Sequence, residues 1–379
     1  IMSRVPLIVV LGATGTGKSK LAIELALKFN GEIISADSMQ VYKKLDIITN
    51  NPLKRYSVVD FRNHALKTID EIVERKKIPI VVGGTNYYIE ALLWKILVDT
   101  DRNPQEHRQF PAVVIEEDCL NHLPAPELHQ RLNDVDPVRA ATLHPNDRRK
   151  VFRSLQVYLR TGNTHSGILK KQKSEPGASD LGGPLRFQNT CIFWIQSNQT
   201  VLDTRLDKRV DEMIESGLIQ ELSDFHDEYN AKRLINNEVA DYTKGIFQSI
   251  EKRQTEKGQR ILQEGINALK ISTRRYSRSQ IKWLKNRFFR SKDRQIPPIY
   301  NVDSSNVDEW NEKVLSPASE VVSHLLTDGK KYILPKLLSK TIPKDCFLFF
   351  LSRYFAMGSH LKSKKHAKVV AGKRKEAAP

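Results

Sequence analysis

The sequence of 379 residues is 40% hydrophobic and 28% charged, which excludes a membrane protein and gives enough chain for one sizeable core plus additions, in two or three domains. Lys and Arg number 61 against 44 Asp and Glu, a formal net charge of +17, so polyanionic partners such as nucleic acid or phosphates are expected. Three cysteines, Cys119, Cys191 and Cys346, are odd in number and far apart, which implies no disulfide framework. No apolar run reaches ~18 residues, and Ile1 to Pro6 is too short for a signal or transit peptide. A cytoplasmic location is the expectation, with mitochondrial and nuclear ones left open.

Leu7 to Leu11 reads as a short buried strand, followed by a Gly-rich turn. Lys18 to Phe29 has helical spacing, with Leu21, Leu25 and Phe29 on one face, and Asn30-Gly31 stops it. Glu32 to Ala36 is a second strand and Phe61 to Lys77 a helix with Ala65, Ile69, Ile72 and Val73 inward. Ile78 to Val82 is a third strand, turned by Gly83-Gly84-Thr85 into a helix beginning near Asn86. From Asp101 to Tyr158 the pattern is helical and polar, and Lys171 to Pro184 reads as a loop. Cys191 to Gln196 is another strand, Val201 to Phe225 a helix, Gly258 to Phe289 a long basic helix and Pro297 to Val302 a last strand.

Strands alternating with helices predict an α/β fold: a P-loop NTPase-like parallel sheet with helices on both faces, a helical insertion and a basic C-terminal tail. The expected division is a first part of the core over 1–100, the insertion over 101–165, core completion with basic helices over 166–325, and an extension over 326–379. In such a sheet the turns Gly12 to Ser19, Asp37 to Gln40 and Gly83 to Thr85 share the carboxyl edge, where ligands bind.

The run Gly12-Ala13-Thr14-Gly15-Thr16-Gly17-Lys18-Ser19 matches G-x-x-x-x-G-K-[ST] in full, between a strand and a helix. Its backbone N–H groups and the helix N-terminus suit phosphate oxygens. Lys18 adds a point charge, and the Ser19 hydroxyl can ligate Mg²⁺. This motif specifies phosphate, not nucleotide. Asp37 stands next to the loop, either as a general base or metal ligand or as a helix cap.

Four segments resemble the tRNA dimethylallyltransferases, also called tRNA isopentenyltransferases. They are Gly12 to Ser19, the run Asp37-Ser38-Met39-Gln40-Val41-Tyr42, the turn Gly83-Gly84-Thr85 with Tyr88, and Arg209-Val210-Asp211 through Met213 to Gly217. Weaker matches are His144-Pro145-Asn146-Asp147 with Arg149 and Arg153, Thr161-Gly162, and Thr273-Arg274 with Tyr276, Arg278, Gln280 and Trp283. The wording of the Asp37 run is similar to the eukaryotic, fungal-like branch. The resemblance implies dimethylallyl diphosphate as donor and, as acceptor, the exocyclic amine of the adenine 3′ of the tRNA anticodon. It implies Asp37 as the base, Thr85 as an orienting group, and Lys18, Arg209 and Mg²⁺ as stabilisers of the leaving pyrophosphate. It also implies tRNA contacts from Asp37, Ser38, Met39, Gln40, Arg149, Lys150, Arg153, Arg274 and Arg278. A monomer without membrane association is expected.

The chain departs from the family pattern after Asn50-Asn51-Pro52 and after Gln248-Ser249-Ile250, where segments are missing, and at Arg278-Ser279-Gln280. Near the end, His360 to His366 is similar to half of a C2H2 zinc finger. His360 and His366 lack an upstream Cys pair, so four zinc ligands are not in sight. Two other readings stay open: a P-loop kinase acting on a nucleotide or small molecule, and a tRNA-binding homologue impaired in catalysis.

Overall fold

The structure is a computed structural model that describes residues 5–38, 56–96, 119–120, 122–224, 255–288 and 294–328. These lie in one compact unit, Ile1–Tyr332; a second unit, Ile333–Pro379, holds Cys346, His360, His366 and the basic tail and is outside the described residues. The missing-segment positions after Pro52 and Ile250 are outside them too, as are Met39 and Gln40.

Five strands form one parallel sheet: β1 (Leu7–Gly12), β2 (Gly31–Ser35), β3 (Ile78–Val82), β4 (Thr190–Gln196) and β5 (Ile299–Asp303), in the order β2-β3-β1-β4-β5. The three inner strands are almost wholly buried and the two edge strands only partly so. That contrast is expected when helices cover both faces of a parallel sheet. The helices of the core are α1 (Lys18–Phe29), α2 (Val58–Glu74) and α3 (Asn86–Leu93). Leu7, Val9 and Leu11 join Phe61, Ala65, Ile69 and Ile72 of α2 and Ile89, Leu92 and Leu93 of α3 in one core cluster. The alternate residues Ile8 and Val10 are equally buried but face the other side. Helix α1 packs on β1, β2 and β3 without entering that cluster, so it covers the opposite face.

The expected insertion over 101–165 contains α4 (Ala125–Val135), α5 (Pro137–Ala140) and α6 (Arg148–Thr161), and α7 (His165–Ser174) follows at its end. Its own small core joins Leu120, Leu128, Leu132, Ala140, Val151 and Leu155. Asp136 staples it by accepting from the Ser166 N–H at 2.8 Å and the Ser166 hydroxyl at 2.6 Å. Helix α8 (Gln199–Glu215) follows β4, and the 33-residue helix α9 (Glu256–Phe288) precedes β5. A π-helix over Asn311–Leu315 leads into α10 (Ser316–Asp328). Among the described residues no helix is long and apolar enough to cross a membrane.

Several element boundaries differ from the sequence reading, and three of them have a local reason. Helix α2 starts at Val58 rather than Phe61, because Ser57 and Asp60 form a reciprocal capping box. The expected loop from Lys171 is helical up to Ser174, since Thr164 caps α7 by accepting from the Gly167 N–H at 3.2 Å. The helix expected to run to Phe225 ends at Glu215. There the Ser216 hydroxyl bonds back to the Glu212 carbonyl at 2.7 Å and the chain turns at Gly217.

Candidate active site

The phosphate loop folds back on itself. Its Ala13 carbonyl accepts from the Thr16 hydroxyl at 2.8 Å and from Lys18 Nζ at 2.7 Å. The Lys18 ammonium is thereby held at the mouth of the loop. Burial pushes its pKa down to about 8, nearby Asp37 draws it back up, and Arg209 adds to the lowering. Lys18, Asp37 and Arg209 therefore share one electrostatic neighbourhood, although they come from the ends of β1 and β2 and from the middle of α8.

The turns after β2 and β3 are joined directly. The Thr85 N–H donates to the Ala36 carbonyl at 3.2 Å, and a Cβ on Gly83 would sit 2.1 Å from that same oxygen, so only glycine fits there. Thr85 occupies the N-cap position of α3, yet its hydroxyl makes no cap bond. It accepts instead from the Ser38 N–H at 2.8 Å and donates to the Ser38 hydroxyl at 2.9 Å. This clasp fixes the residue next to Asp37. The carboxylate of Asp37 reaches to 3.8 Å from where a Gly84 Cβ would lie. The alternative reading of Asp37 as a helix cap falls on residues outside those described.

Gln280 of α9 ties these turns to the phosphate loop. Its Oε1 accepts from the Thr14 N–H at 2.9 Å, its Nε2 donates to the Gly84 carbonyl at 2.9 Å, and its backbone carbonyl accepts from Asn86 Nδ2 at 3.3 Å. It also hydrogen-bonds the half-exposed Tyr276, whose phenol is raised in pKa first by burial and then by Asp37. The Thr14 hydroxyl accepts from Arg209 Nη1 at 2.9 Å. Gln280 entered the sequence reading only as part of the resemblance and received no site role. Its signal was a lone amide on the buried stripe Ser277, Gln280, Leu284, Phe288 of α9.

The basic residues divide into two groups. Arg149 is exposed on the first turn of α6, close enough to Tyr87 of α3 to lower that phenol's pKa against burial. Lys150 pairs with Asp147 at 2.6 Å, and Arg153 Nη1 donates to Gln156 at 2.6 Å. Arg274 and Arg278, by contrast, are engaged within the core unit. Arg278, Arg274 and Lys270 of α9 pair in turn with Asp203, Asp207 and Asp211 of α8, the last at 2.6 Å. Carboxylates and cations repeat every four residues on the two helices, so the pairs form a ladder.

Among the described residues no cluster of three or more His, Cys, Asp or Glu could hold a metal ion. Mg²⁺ needs no such cluster where phosphates supply most of its ligands. The exposed Ser19, on the first turn of α1 beside Lys18, fits the single hydroxyl ligand of that arrangement.

Comparison with known proteins finds matches along most of the chain. The family model described as IPP transferase matches residues 40–287, and that described as isopentenyl transferase matches residues 5–56. The tRNA dimethylallyltransferase of Mus musculus is 48% identical, covering 87% of this chain and 76% of the mouse protein. The chain belongs to the tRNA dimethylallyltransferase family. The Schizosaccharomyces pombe member is 33% identical, covering 86% of this chain and 79% of its own length. A solved eukaryotic dimethylallyltransferase acting on tRNA superposes with a TM-score of 0.65 at 26% identity, covering 98% of each chain. The mouse alignment spans 361 positions but draws on only 87% of the 379 residues here. The mouse member therefore has positions without a counterpart in this chain.

Proposed function

We propose that this chain transfers a dimethylallyl group from dimethylallyl diphosphate to the exocyclic N6 amine of the adenosine immediately 3′ of a tRNA anticodon, releasing pyrophosphate. The supporting observation is the meeting of Lys18 and Asp37 at the carboxyl edge of the sheet, with Thr85 clasped to Ser38 beside them. An aromatic amine is a weak nucleophile, so a carboxylate positioned to accept its proton lowers the barrier as the N–C bond forms. The donor C–O bond breaks, and its electron pair leaves with pyrophosphate. Lys18, Arg209 and the N–H groups of residues 12–19 face the charge that develops there. Mg²⁺ bound to the diphosphate through Ser19 would neutralise further charge. The target base must leave its stack, which costs a few kcal/mol and is cheapest in an unpaired loop.

For the tRNA, we assign phosphate contacts chiefly to Arg149 and Arg153 on α6, with Ser38 at the base-binding edge. Arg274 and Arg278 are committed to the α8–α9 ladder, and Lys150 to Asp147. Arg149→Ala is expected to weaken tRNA binding across sequences and to reduce the salt slope of log K by about 1. Filter binding over a salt series checks this; an unchanged slope assigns Arg149 elsewhere.

The direct test is an assay for prenylated adenosine in tRNA incubated with the protein and the diphosphate donor, alongside binding of labelled ATP. Transfer with no competitive ATP binding supports the proposal. Phosphoryl transfer from ATP, or tight tRNA binding with no prenyl product, would replace it with one of the two other readings.

A further inference from the structure

Residues beyond 287 lie past both family matches, yet one of them touches the phosphate loop. After β5 the chain turns and delivers Trp310, 7% exposed, at the entry to the π-helix. Short π-helical turns widen a helix locally and recur at functional sites. The edge of the Trp310 ring lies against Gly17, the N-cap of α1, which holds a left-handed φ of 88°. A Cβ on Gly17 would come within 2.8 Å and 2.9 Å of ring atoms Cζ3 and Cη2. The indole Nε1 donates to Glu24 at 2.7 Å, and Lys20 Nζ sits 4.5 Å above the ring centroid. Gly17, Lys20 and Glu24 are spaced three and four apart, so one flat ring spans the start of one helix face.

We infer that Trp310 is a positioning residue for the phosphate cradle. It backs the loop at the residue whose conformation aims the Lys18 and Ser19 N–H groups, and it anchors the first two turns of α1 through Lys20 and Glu24. The ring reaches the site only through Gly17 and α1. The inference rests on the diphosphate reading above, because it assigns the ring to the binding of that group and not to tRNA.

The test compares wild type, Trp310→Ala and Trp310→Phe as full chains. It measures binding of inorganic pyrophosphate by calorimetry and steady-state constants for donor and tRNA. Trp310→Ala is expected to raise the pyrophosphate Kd and the donor KM about tenfold or more, with the tRNA KM within about twofold. Trp310→Phe keeps a flat ring but loses the distal atoms Cζ3 and Cη2 that meet Gly17, together with the Glu24 bond, so its pyrophosphate Kd should fall between those of wild type and alanine. If the alanine variant fails to fold, Trp310→Leu, which fills volume without a flat ring, carries the same expectation. An unchanged pyrophosphate Kd in the alanine or leucine variant overturns the inference. So does a parallel rise in both KM values, or a phenylalanine variant weaker than alanine. Wild-type protein that fails to bind pyrophosphate would remove the diphosphate reading and this inference together.

Discussion

Asp37→Ala is expected to slow prenyl transfer by about 10²- to 10⁴-fold, the usual range for loss of a positioned general base. The amide variant Asp37→Asn should fall as far, because it keeps the shape but accepts no proton. Neither change should unfold the protein, since the side chain is only partly buried and the Thr85–Ser38 clasp does not use it. Pyrophosphate binding gives a sharper control. Asp37 attracts the Lys18 ammonium, so removing its negative charge should leave pyrophosphate affinity equal or tighter. Single-turnover rates together with pyrophosphate titrations separate the two roles. A rate near wild type would strip Asp37 of the base assignment; a weakened pyrophosphate affinity would make it a binding group instead.

Lys18→Ala should lower kcat/KM for the donor by about 10²- to 10³-fold, as expected when a group facing the leaving charge is lost. The pH profile adds an independent sign. Burial holds the Lys18 pKa at about 8 in the free protein, so the group is charged below that pH and neutral above it. A bound diphosphate favours the ammonium, and donor binding above pH about 8 must therefore take up a proton. The profile of kcat/KM for the donor should fall as pH rises through about 8, since this parameter reports groups of the free enzyme. In the alanine variant that limb should vanish. A wild-type profile flat up to pH about 10 would show that the ammonium is not depressed.

Much of this site was legible before the structure, and for a definable reason. The phosphate loop, the Asp37 turn and the Gly83-Gly84-Thr85 turn each combine a buried apolar run with an abrupt turn, so their positions at strand ends follow from periodicity. Once the sheet is parallel, those ends must share an edge. What periodicity could not give is the contacts between distant segments. Thr85 occupies the cap position of α3, but its hydroxyl turns to Ser38, 47 residues earlier. Gln280 is 266 residues from Thr14 and shows in sequence only as a polar amide on an apolar stripe. Trp310 carries no motif and lies outside the matched span. Arg274 and Arg278 show the complementary gap. The resemblance implied tRNA contacts for them, whereas the matching Asp203, Asp207 and Asp211 on α8 were left unread, and the structure pairs the two sets.

That pairing has a consequence of its own. A repeat of similar cation–carboxylate rungs every four residues is nearly blind to a slide of one rung, about 6 Å along the axis, which would sacrifice a single pair. The rungs hold α8 and α9 together without saying where along each other they should stop. Thr14 supplies the stop. It meets Arg209 from one helix and Gln280 from the other, and both contacts hold only in one alignment. The phosphate loop thus acts as the pin of a vernier: one small residue of that loop also sets the alignment of two long helices.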